Sequence, residues 1–91
     1  MIKIEKGKNY LVTGGSGFLG APLCKRIIEK GGKVRVLSRD EGKLIELKQE
    51  VDVEILTGDI SDKFEVKQAM IGIDGVFHLA AQSHPPSSFV D

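Results

Sequence analysis

The fold of this chain is decided by the run Tyr10-Leu11-Val12-Thr13-Gly14-Gly15-Ser16-Gly17-Phe18-Leu19-Gly20. Its first part is apolar and favours a buried β-strand, whereas its second part contains four glycines. Cys24 and Ile27 then follow Gly20 at steps of four and three residues, which places these three residues on one face of a helix. The run therefore predicts a strand that passes through a glycine-rich turn into a helix, with Gly20 facing the sheet.

The spacing of the glycines indicates what this turn can bind. Two registers fit, Gly15-x-Gly17-x-x-Gly20 and Gly14-x-x-Gly17-x-x-Gly20. In dinucleotide-binding turns one glycine permits the tight turn, one lets the backbone approach a pyrophosphate, and one lets the helix lie against the sheet. The phosphates then face free backbone N–H groups at the positive end of the helix dipole. A plain tight connection is the alternative, and spacing alone does not select one dinucleotide-binding family.

Strands and helices alternate along the rest of the chain. The hydrophobic pattern predicts strands at Lys33–Ser38, Val51–Thr57 and Val76–Ala81, and helices at residues 41–50 and from Asp62 to Gly72. This order implies right-handed crossovers and an α/β, Rossmann-type three-layer fold, with a parallel sheet of four strands in order 3-2-1-4. A ligand crevice is expected between the first and fourth strands. The first two helices should cover one face and the third part of the other, leaving apolar surface near the edge of the fourth strand for later elements or a second copy.

The composition is that of an ordinary soluble globular protein. The 91 residues are 41% hydrophobic and 29% charged, with 13 basic and 13 acidic side chains, so we expect one domain and neither nucleic-acid nor membrane partners. We find no apolar run of about 18 residues and no signal-peptide core. The single Cys24 excludes an internal disulfide and a cysteine-based metal cluster. A cytoplasmic protein without a metal site is therefore expected.

Three motifs in this order of elements carry a resemblance to a known family: Thr13–Gly20, Gly58-Asp59-Ile60 and His78-Leu79-Ala80-Ala81. Their order and spacing resemble the extended short-chain dehydrogenase/reductases, specifically the NAD(P)-dependent nucleotide-sugar epimerases and dehydratases. The run Ala80-Ala81-Gln82-Ser83-His84 looks most like GDP-mannose 4,6-dehydratases, and Pro85-Pro86 departs from their pattern. The resemblance implies that residues 1–91 are the cofactor-binding first quarter to third of a longer enzyme, without its substrate domain.

The resemblance also implies a cofactor site at the ends of the strands. Asp59 would accept a hydrogen bond from the adenine amino group, and Ile60 would add an apolar contact. Simpler roles stay open, because Asp59 also suits a turn before a helix and Leu79 also suits the core. The implied cofactor-binding residues are Gly14, Gly15, Ser16, Gly17, Phe18, Leu19, Ser38, Arg39, Asp59, Ile60, Leu79, Ala80, Ala81 and Gln82.

The end of the second strand distinguishes NADP from NAD. An acid at this place pairs with the ribose 2′-hydroxyl of NAD, whereas an arginine accommodates the 2′-phosphate of NADP. Here Ser38-Arg39 occupies the place and Asp40 comes too late for the hydroxyl role. Because Arg39 can form charge-assisted bonds with a phosphate, we predict NADP as the cofactor, with NAD as the alternative if Arg39 is only a solvated charge.

Two histidines fall near the expected site. His78 lies inside a predicted strand, where a packed, hydrogen-bonded histidine is more typical than a general base. His84 lies in a proline-containing loop, which suits either contact with a nucleotide sugar or plain loop structure.

The catalytic pair of the resembled family is missing from this sequence. That family moves a hydride to and from the cofactor with a Tyr-x-x-x-Lys pair as acid and base. The only tyrosine here is Tyr10, and Gly14 stands four residues later. We therefore expect no catalytic residues in this chain, with the nucleotide sugar bound by the full-length enzyme. A non-catalytic NAD(P)-binding or redox-sensing module and an interaction domain with an empty site are the alternatives.

Overall fold

The computed structural model describes residues 3–14 and 20–79, which form a four-stranded parallel sheet between two helical layers. The elements in chain order are β1 Asn9–Thr13, α1 Gly20–Glu29, β2 Lys33–Ser38, α2 Glu41–Glu50, β3 Glu54–Thr57, α3 Lys63–Ala69 and β4 Gly75–His78. The strand order is β3-β2-β1-β4, so the predicted α/β fold and sheet order are confirmed. Each helix is the crossover that a pair of parallel strands requires.

Strand β1 is the centre of the sheet and sets its register. Val12 pairs with Val36 of β2 and with Phe77 of β4, and Leu37 of β2 pairs with Leu56 of β3. All pairings are parallel, so the carboxyl ends of the strands lie at one edge of the sheet. Any ligand that binds at this edge meets the turns that follow each strand.

The larger core lies between the sheet and helices α1 and α2. Alternation along β1 points Tyr10 and Val12 to this face, where Cys24 and Ile27 of α1 pack against them. Helix α2 contributes Leu44, which is fully buried, and burying such a side chain stabilises the fold by about 1.5–3 kcal/mol. Burial also raises the pKa of the Cys24 thiol to about 11, so this cysteine is a core residue and not a nucleophile at neutral pH.

The smaller core lies on the opposite face, beneath α3. Leu11 and Leu37 point to this face and pack with Ala69, the last residue of α3. Helix α3 is held at both ends, because the carboxylate of Asp62 accepts bonds from the first turn and Arg35 donates to the carbonyls of Ala69 and Ile71. The predicted distribution of helices, two on one face and one on the other, is confirmed.

The ends of three elements differ from the sequence prediction. Strand β3 begins at Glu54 and not at Val51, because Val51 is buried as the C-terminal cap of α2 and donates its N–H to the carbonyl of Leu47. Strand β4 begins at Gly75 and ends at His78. Helix α3 ends at Ala69, so Met70 is exposed and does not belong to the buried stripe that the helical spacing predicts.

The sequence predicts exposed apolar surface near the edge of β4. Val76 and Phe77 of β4 are half-buried. Among the described residues, the large exposed apolar side chains belong to α2, α3 and the turns beside α3: Ile45, Ile60, Phe64, Met70 and Ile71. Within the described parts of the chain, no helix is both long enough and apolar enough to cross a membrane.

Candidate functional site

An open groove of about 940 Å³ lies at the carboxyl-end edge of the sheet. It is formed by the residues that follow β1, β2, β3 and β4, which the parallel topology brings to the same edge. The described residues that line it are Gly14, Leu37, Ser38, Arg39, Asp40, Glu41, Gly58, Asp59, Ile60, Ser61, His78 and Leu79. Four turns that are distant in sequence therefore share one concave surface.

The groove contains the sequence-predicted site residues that the structure describes. Gly14, Ser38, Arg39, Asp59, Ile60 and Leu79 all line it. The other predicted site residues lie outside the described part of the chain: Gly15, Ser16, Gly17, Phe18, Leu19, Ala80, Ala81 and Gln82. His84 and the Pro85-Pro86 pair also lie outside it.

Gly14 is the point at which the end of β1 lies closest to the backbone that follows β4. Its φ is +73°, and a Cβ placed on it would overlap the carbonyl of Leu79. Its N–H donates to the carbonyl of Leu37 at 3.1 Å, while the N–H of Leu79 donates to the carbonyl of Thr13 at 2.9 Å. Glycine is required here because the protein's own backbone occupies the space that a Cβ would need.

Asp40 is committed to the start of helix α2. Its carboxylate oxygen accepts from the N–H of Lys43 at 3.0 Å, which makes it the N-terminal cap. Its own N–H donates to the hydroxyl of Ser38 at 3.2 Å. One carboxylate oxygen of Asp40 is therefore engaged by the helix that it caps.

Arg39 is the single Lys or Arg among the described residues that line the groove. Its side chain is 76% exposed, and one guanidinium nitrogen lies 3.7 Å from a carboxylate oxygen of Asp59. Such an exposed pair holds its partners weakly. The guanidinium is therefore accessible to an anion in a groove whose other charged side chains, Asp40, Glu41 and Asp59, are acidic.

Asp59 is held by the turn that follows β3. Its Oδ1 accepts from both the N–H and the hydroxyl of Ser61, at 2.9 and 2.8 Å, and its Oδ2 faces Arg39. The Ser61 backbone bond first, then the Ser61 hydroxyl and the positive charge of Arg39, lower the pKa of Asp59 below its usual range. Asp59 is thus an ionised acceptor at neutral pH, and it also performs the turn role that the sequence left open.

Glu65 is a groove-supporting residue that sequence reasoning missed. The sequence places it three residues after Asp62, as in a capping box, where its carboxylate would accept from the N–H of Asp62. Instead Oε1 accepts from the N–H of Asp59 at 2.7 Å, and the Asp62 N–H donates to the carbonyl of Asp59. The capping spacing was a signal that Glu65 reaches back toward the preceding turn, but it gave the wrong partner.

His78 differs from its predicted environment. It lies in β4 and its Nδ1 is 2.5 Å from the hydroxyl oxygen of Thr13, so the expected hydrogen bond is present. The side chain is nevertheless exposed and lines the groove, because His78 is the last residue of β4. The prediction that His78 is packed was therefore wrong. Its hydrogen-bond partner, Thr13, is buried.

The sequence model of the NAD dependent epimerase/dehydratase family matches residues 10–91. The chain belongs to this family. Membership of this family implies that the chain contains an NAD(P)-binding segment.

Known members resemble the chain over most of its length. A UDP-N-acetylglucosamine 4,6-dehydratase (inverting) of Campylobacter jejuni is 38% identical over 85 residues, covering 88% of this chain and 25% of that protein. A 2-alkyl-3-oxoalkanoate reductase of Shewanella oneidensis is 41% identical over 78 residues, covering 86% and 19%. The crystal structure of Pen from Bacillus thuringiensis superposes with a TM-score of 0.81 at 36% identity, covering 90% and 26%. The chain thus spans about a quarter or less of these proteins.

A second cavity, of about 430 Å³, lies at the opposite end of this epimerase/dehydratase-family domain. Its lining includes Asn9, Lys33, Lys48, Asp52 and Glu54. Ligands of open parallel sheets bind outside the carboxyl ends of the strands, and this cavity lies at the amino ends. The ammonium group of Lys48 donates a hydrogen bond to the carbonyl of Val53 at 2.9 Å. This lysine of the cavity lining therefore has a structural role.

Proposed function

We propose that the groove binds the adenosine half of NADP, with NAD as a weaker ligand, and that residues 1–91 are the cofactor-binding segment of a nucleotide-sugar epimerase or dehydratase. The observation that carries the proposal is the convergence of Gly14, Arg39 and Asp59 on one groove, at the place where the strand order reverses. Membership of the NAD dependent epimerase/dehydratase family supports it.

Recognition of the adenine ring is assigned to Asp59 and Ile60. Asp59 Oδ2 has no bond from Ser61, whose two donors both bind Oδ1, so it is available to accept from an exocyclic amino group. Ile60 is 46% exposed and lines the same groove, which provides an apolar surface for the base. Hypoxanthine presents an oxygen at the position of the amino group and would face an ionised carboxylate.

Recognition of the 2′-phosphate is assigned to Arg39. The groove presents no other Lys or Arg among the described residues, and Asp40 is occupied as the cap of α2. A phosphate would compete with Asp59 for the guanidinium, and the existing 3.7 Å pair is long and exposed. The dianionic phosphate can form shorter, charge-assisted bonds with arginine.

The pyrophosphate and the ribose linked to nicotinamide are assigned to residues around the predicted turns. Gly14 and Leu79 provide the described part of that surface. The family resemblance assigns Gly15, Ser16, Gly17, Phe18 and Leu19 to the pyrophosphate, and Ala80, Ala81 and Gln82 to the ribose linked to nicotinamide. When bound, the cofactor would supply or accept a hydride, and this segment would hold and orient it.

The substrate of the longer protein is proposed to be a nucleotide sugar. A relative named UDP-N-acetylglucosamine 4,6-dehydratase supports this class, whereas the resemblance of the Ala80–His84 run favours a GDP-mannose substrate. No Tyr-x-x-x-Lys pair occurs in the 91 residues, so the proposed acid and base belong to sequence outside them. A coding sequence that continues in frame to such a pair would support the enzyme over a non-catalytic NAD(P)-binding module.

Thermal unfolding in the presence of ligands tests the binding proposal. NADPH and 2′,5′-ADP should both stabilise the protein, by about 2.7 kcal/mol at a free concentration of roughly 100 times Kd. Nicotinamide mononucleotide, which lacks the adenosine half, is the control and should stabilise the protein less than 2′,5′-ADP does at the same concentration. Absence of stabilisation by NADPH and NADH in a folded sample would contradict the proposal.

The variant Arg39→Ala tests the cofactor preference. Loss of one exposed charge-assisted contact of about 1.4 kcal/mol should weaken NADP binding about tenfold and leave NAD binding within about twofold, as measured by isothermal titration calorimetry. Arg26→Ala is the matched control, because Arg26 is an exposed arginine of α1 that does not line the groove. Equal losses for the two cofactors would remove the 2′-phosphate role of Arg39.

A further inference from the structure

The carboxylate of Glu65 supports the turn that follows β3 and lines the groove. It extends from the first turn of α3 back to the end of β3, where Oε1 accepts from the N–H of Asp59 at 2.7 Å. Gly58 makes room for this contact, because a Cβ placed on it would lie 3.1 Å from the same Oε1 and 3.0 Å from a methyl carbon of Leu37. The turn after β3 is therefore fitted around the Glu65 carboxylate.

The bond to Glu65 completes a set that fixes Asp59 from two sides. Glu65 holds the backbone N–H, while the N–H and hydroxyl of Ser61 hold Oδ1. The carbonyl of Asp59 also accepts from the N–H of Asp62 at 2.9 Å. With the backbone and one carboxylate oxygen fixed, the direction of Oδ2 into the groove is determined.

We propose that Glu65 is a positioning residue for adenine recognition, which it secures by fixing the backbone of Asp59 so that Oδ2 faces the base. The proposal rests on the assignment of Asp59 to the adenine amino group. Glu65 does not line the groove and acts through Asp59. Its removal lets the Asp59 turn change direction, so the protein loses its ability to distinguish an amino group from an oxygen on the purine ring. If the groove recognised the base only by apolar contact, the bond between the Asp59 N–H and Glu65 would not be needed for recognition.

Selectivity for the base separates this role from a structural one. NAD and nicotinamide hypoxanthine dinucleotide differ at one edge of the purine, where the 6-amino group beside an unprotonated N1 is replaced by an oxygen beside an N1–H. The wild-type protein should bind NAD about tenfold more tightly than the hypoxanthine analogue, and Glu65→Ala should reduce that ratio to about one. Glu65→Gln should keep most of the wild-type ratio, because its amide oxygen can accept from the Asp59 N–H.

Asp62→Ala is the matched control for the stability of α3. Asp62 accepts from Phe64 and Glu65 in the same helical turn, so the substitution destabilises the helix while the Glu65 bond to Asp59 is retained. It should lower the melting temperature and keep the preference for NAD over the analogue. If Glu65→Ala does not fold, Glu65→Asp replaces it, since a side chain shorter by one methylene cannot reach Asp59 and should lose the same preference.

The outcomes distinguish this inference from the proposed function. Failure of the wild-type protein to bind either dinucleotide would overturn the proposed function and this inference with it. Binding of both without preference would remove the Asp59 role, and so the role of Glu65. Binding with preference that survives in Glu65→Ala would overturn the positioning role alone, as would an equal loss of preference in Asp62→Ala. Loss in Glu65→Ala, with retention in Glu65→Gln and Asp62→Ala, is the expected result.

Discussion

At the scale of single residues, Gly14 is constrained by two independent features. Its φ of +73° lies in the left-handed region, which residues with a Cβ rarely adopt. The carbonyl of Leu79 also occupies the space in which a Cβ would lie. The first constraint comes from the turn after β1 and the second from the residue after β4. A glycine at this position therefore allows the ends of these two strands to lie close together beside the groove.

The variant Gly14→Ala separates these two constraints when it is compared with Gly72→Ala. Gly72 has a nearly equal φ of +77°, but a Cβ placed on it would have no neighbouring atom within 4 Å. Gly72→Ala should therefore cost only the backbone strain, about 1 kcal/mol, whereas Gly14→Ala should cost about 3 kcal/mol or more because the strand ends must also separate. Urea unfolding measures both values, and equal costs would show that Leu79 does not constrain Gly14.

The residues around the groove show which features of the site can be predicted from sequence and which cannot. The order of Ser38, Arg39 and Asp40 predicted that the arginine, and not the acid, faces a ligand, and the structure adds that Asp40 caps α2. The proximity of Arg39 to Asp59 could not be predicted, because it depends on the angle between two turns. The hydrogen-bond partner of Glu65 could not be predicted from the capping motif either, because the N–H groups of Asp59 and Asp62 are both within reach of its carboxylate.

At the scale of elements, the shortest helix is the one with the most specific support. Helix α3 has seven residues, too few to be stable by itself in water. Asp62 holds its first turn, and Arg35 from the middle of β2 donates to the carbonyls of Ala69 and Ile71, both at 2.8 Å. Arg35 thereby connects the sheet to the C-terminal end of α3, the helix whose first turn contains Glu65.

The variant Arg35→Met tests this connection while keeping an apolar stem of similar length. It should lower the free energy of unfolding by about 1–3 kcal/mol, because two carbonyl groups lose a charged donor. Glu54→Gln is the control, since it weakens only the exposed ion pair with Arg35 and should cost less than about 0.5 kcal/mol. Circular dichroism during urea unfolding measures both, and equal effects would mean that the ion pair and not the helix cap matters.

Element types followed from the sequence more closely than element ends did. The pattern of Leu44 and Leu47 identified α2, and both residues are buried as the period requires. The end of α3 was predicted too late, because Met70 and Ile73 continue a helical spacing after the helix has ended at Ala69. Periodicity records which residues are apolar, whereas the end of a helix depends on the partners of its last carbonyl groups.

At the scale of the whole molecule, the sheet order determines where the groove lies. Strand β1 leads to β2 on one side, and β4 is added on its other side, so the crossovers diverge at β1. Alternation of strands and helices predicted a parallel sheet, and the Rossmann-type reversal after the third strand predicted its order. The shape of the groove was not predictable in the same way, because it depends on side chains from four turns that only the folded chain brings together.

The most direct test of the central claim is an NMR titration of the ¹⁵N-labelled protein with NADP. The claim predicts saturable shifts of the backbone amide signals of Gly14, Arg39 and Asp59, with the Asp59 and Arg39 signals changing also with 2′,5′-ADP alone. The signals of Lys33, Lys48 and Asp52, at the opposite end of the sheet, should stay unchanged. Shifts confined to that opposite end, or no saturable shift at the groove, would contradict the claim that the groove binds the dinucleotide.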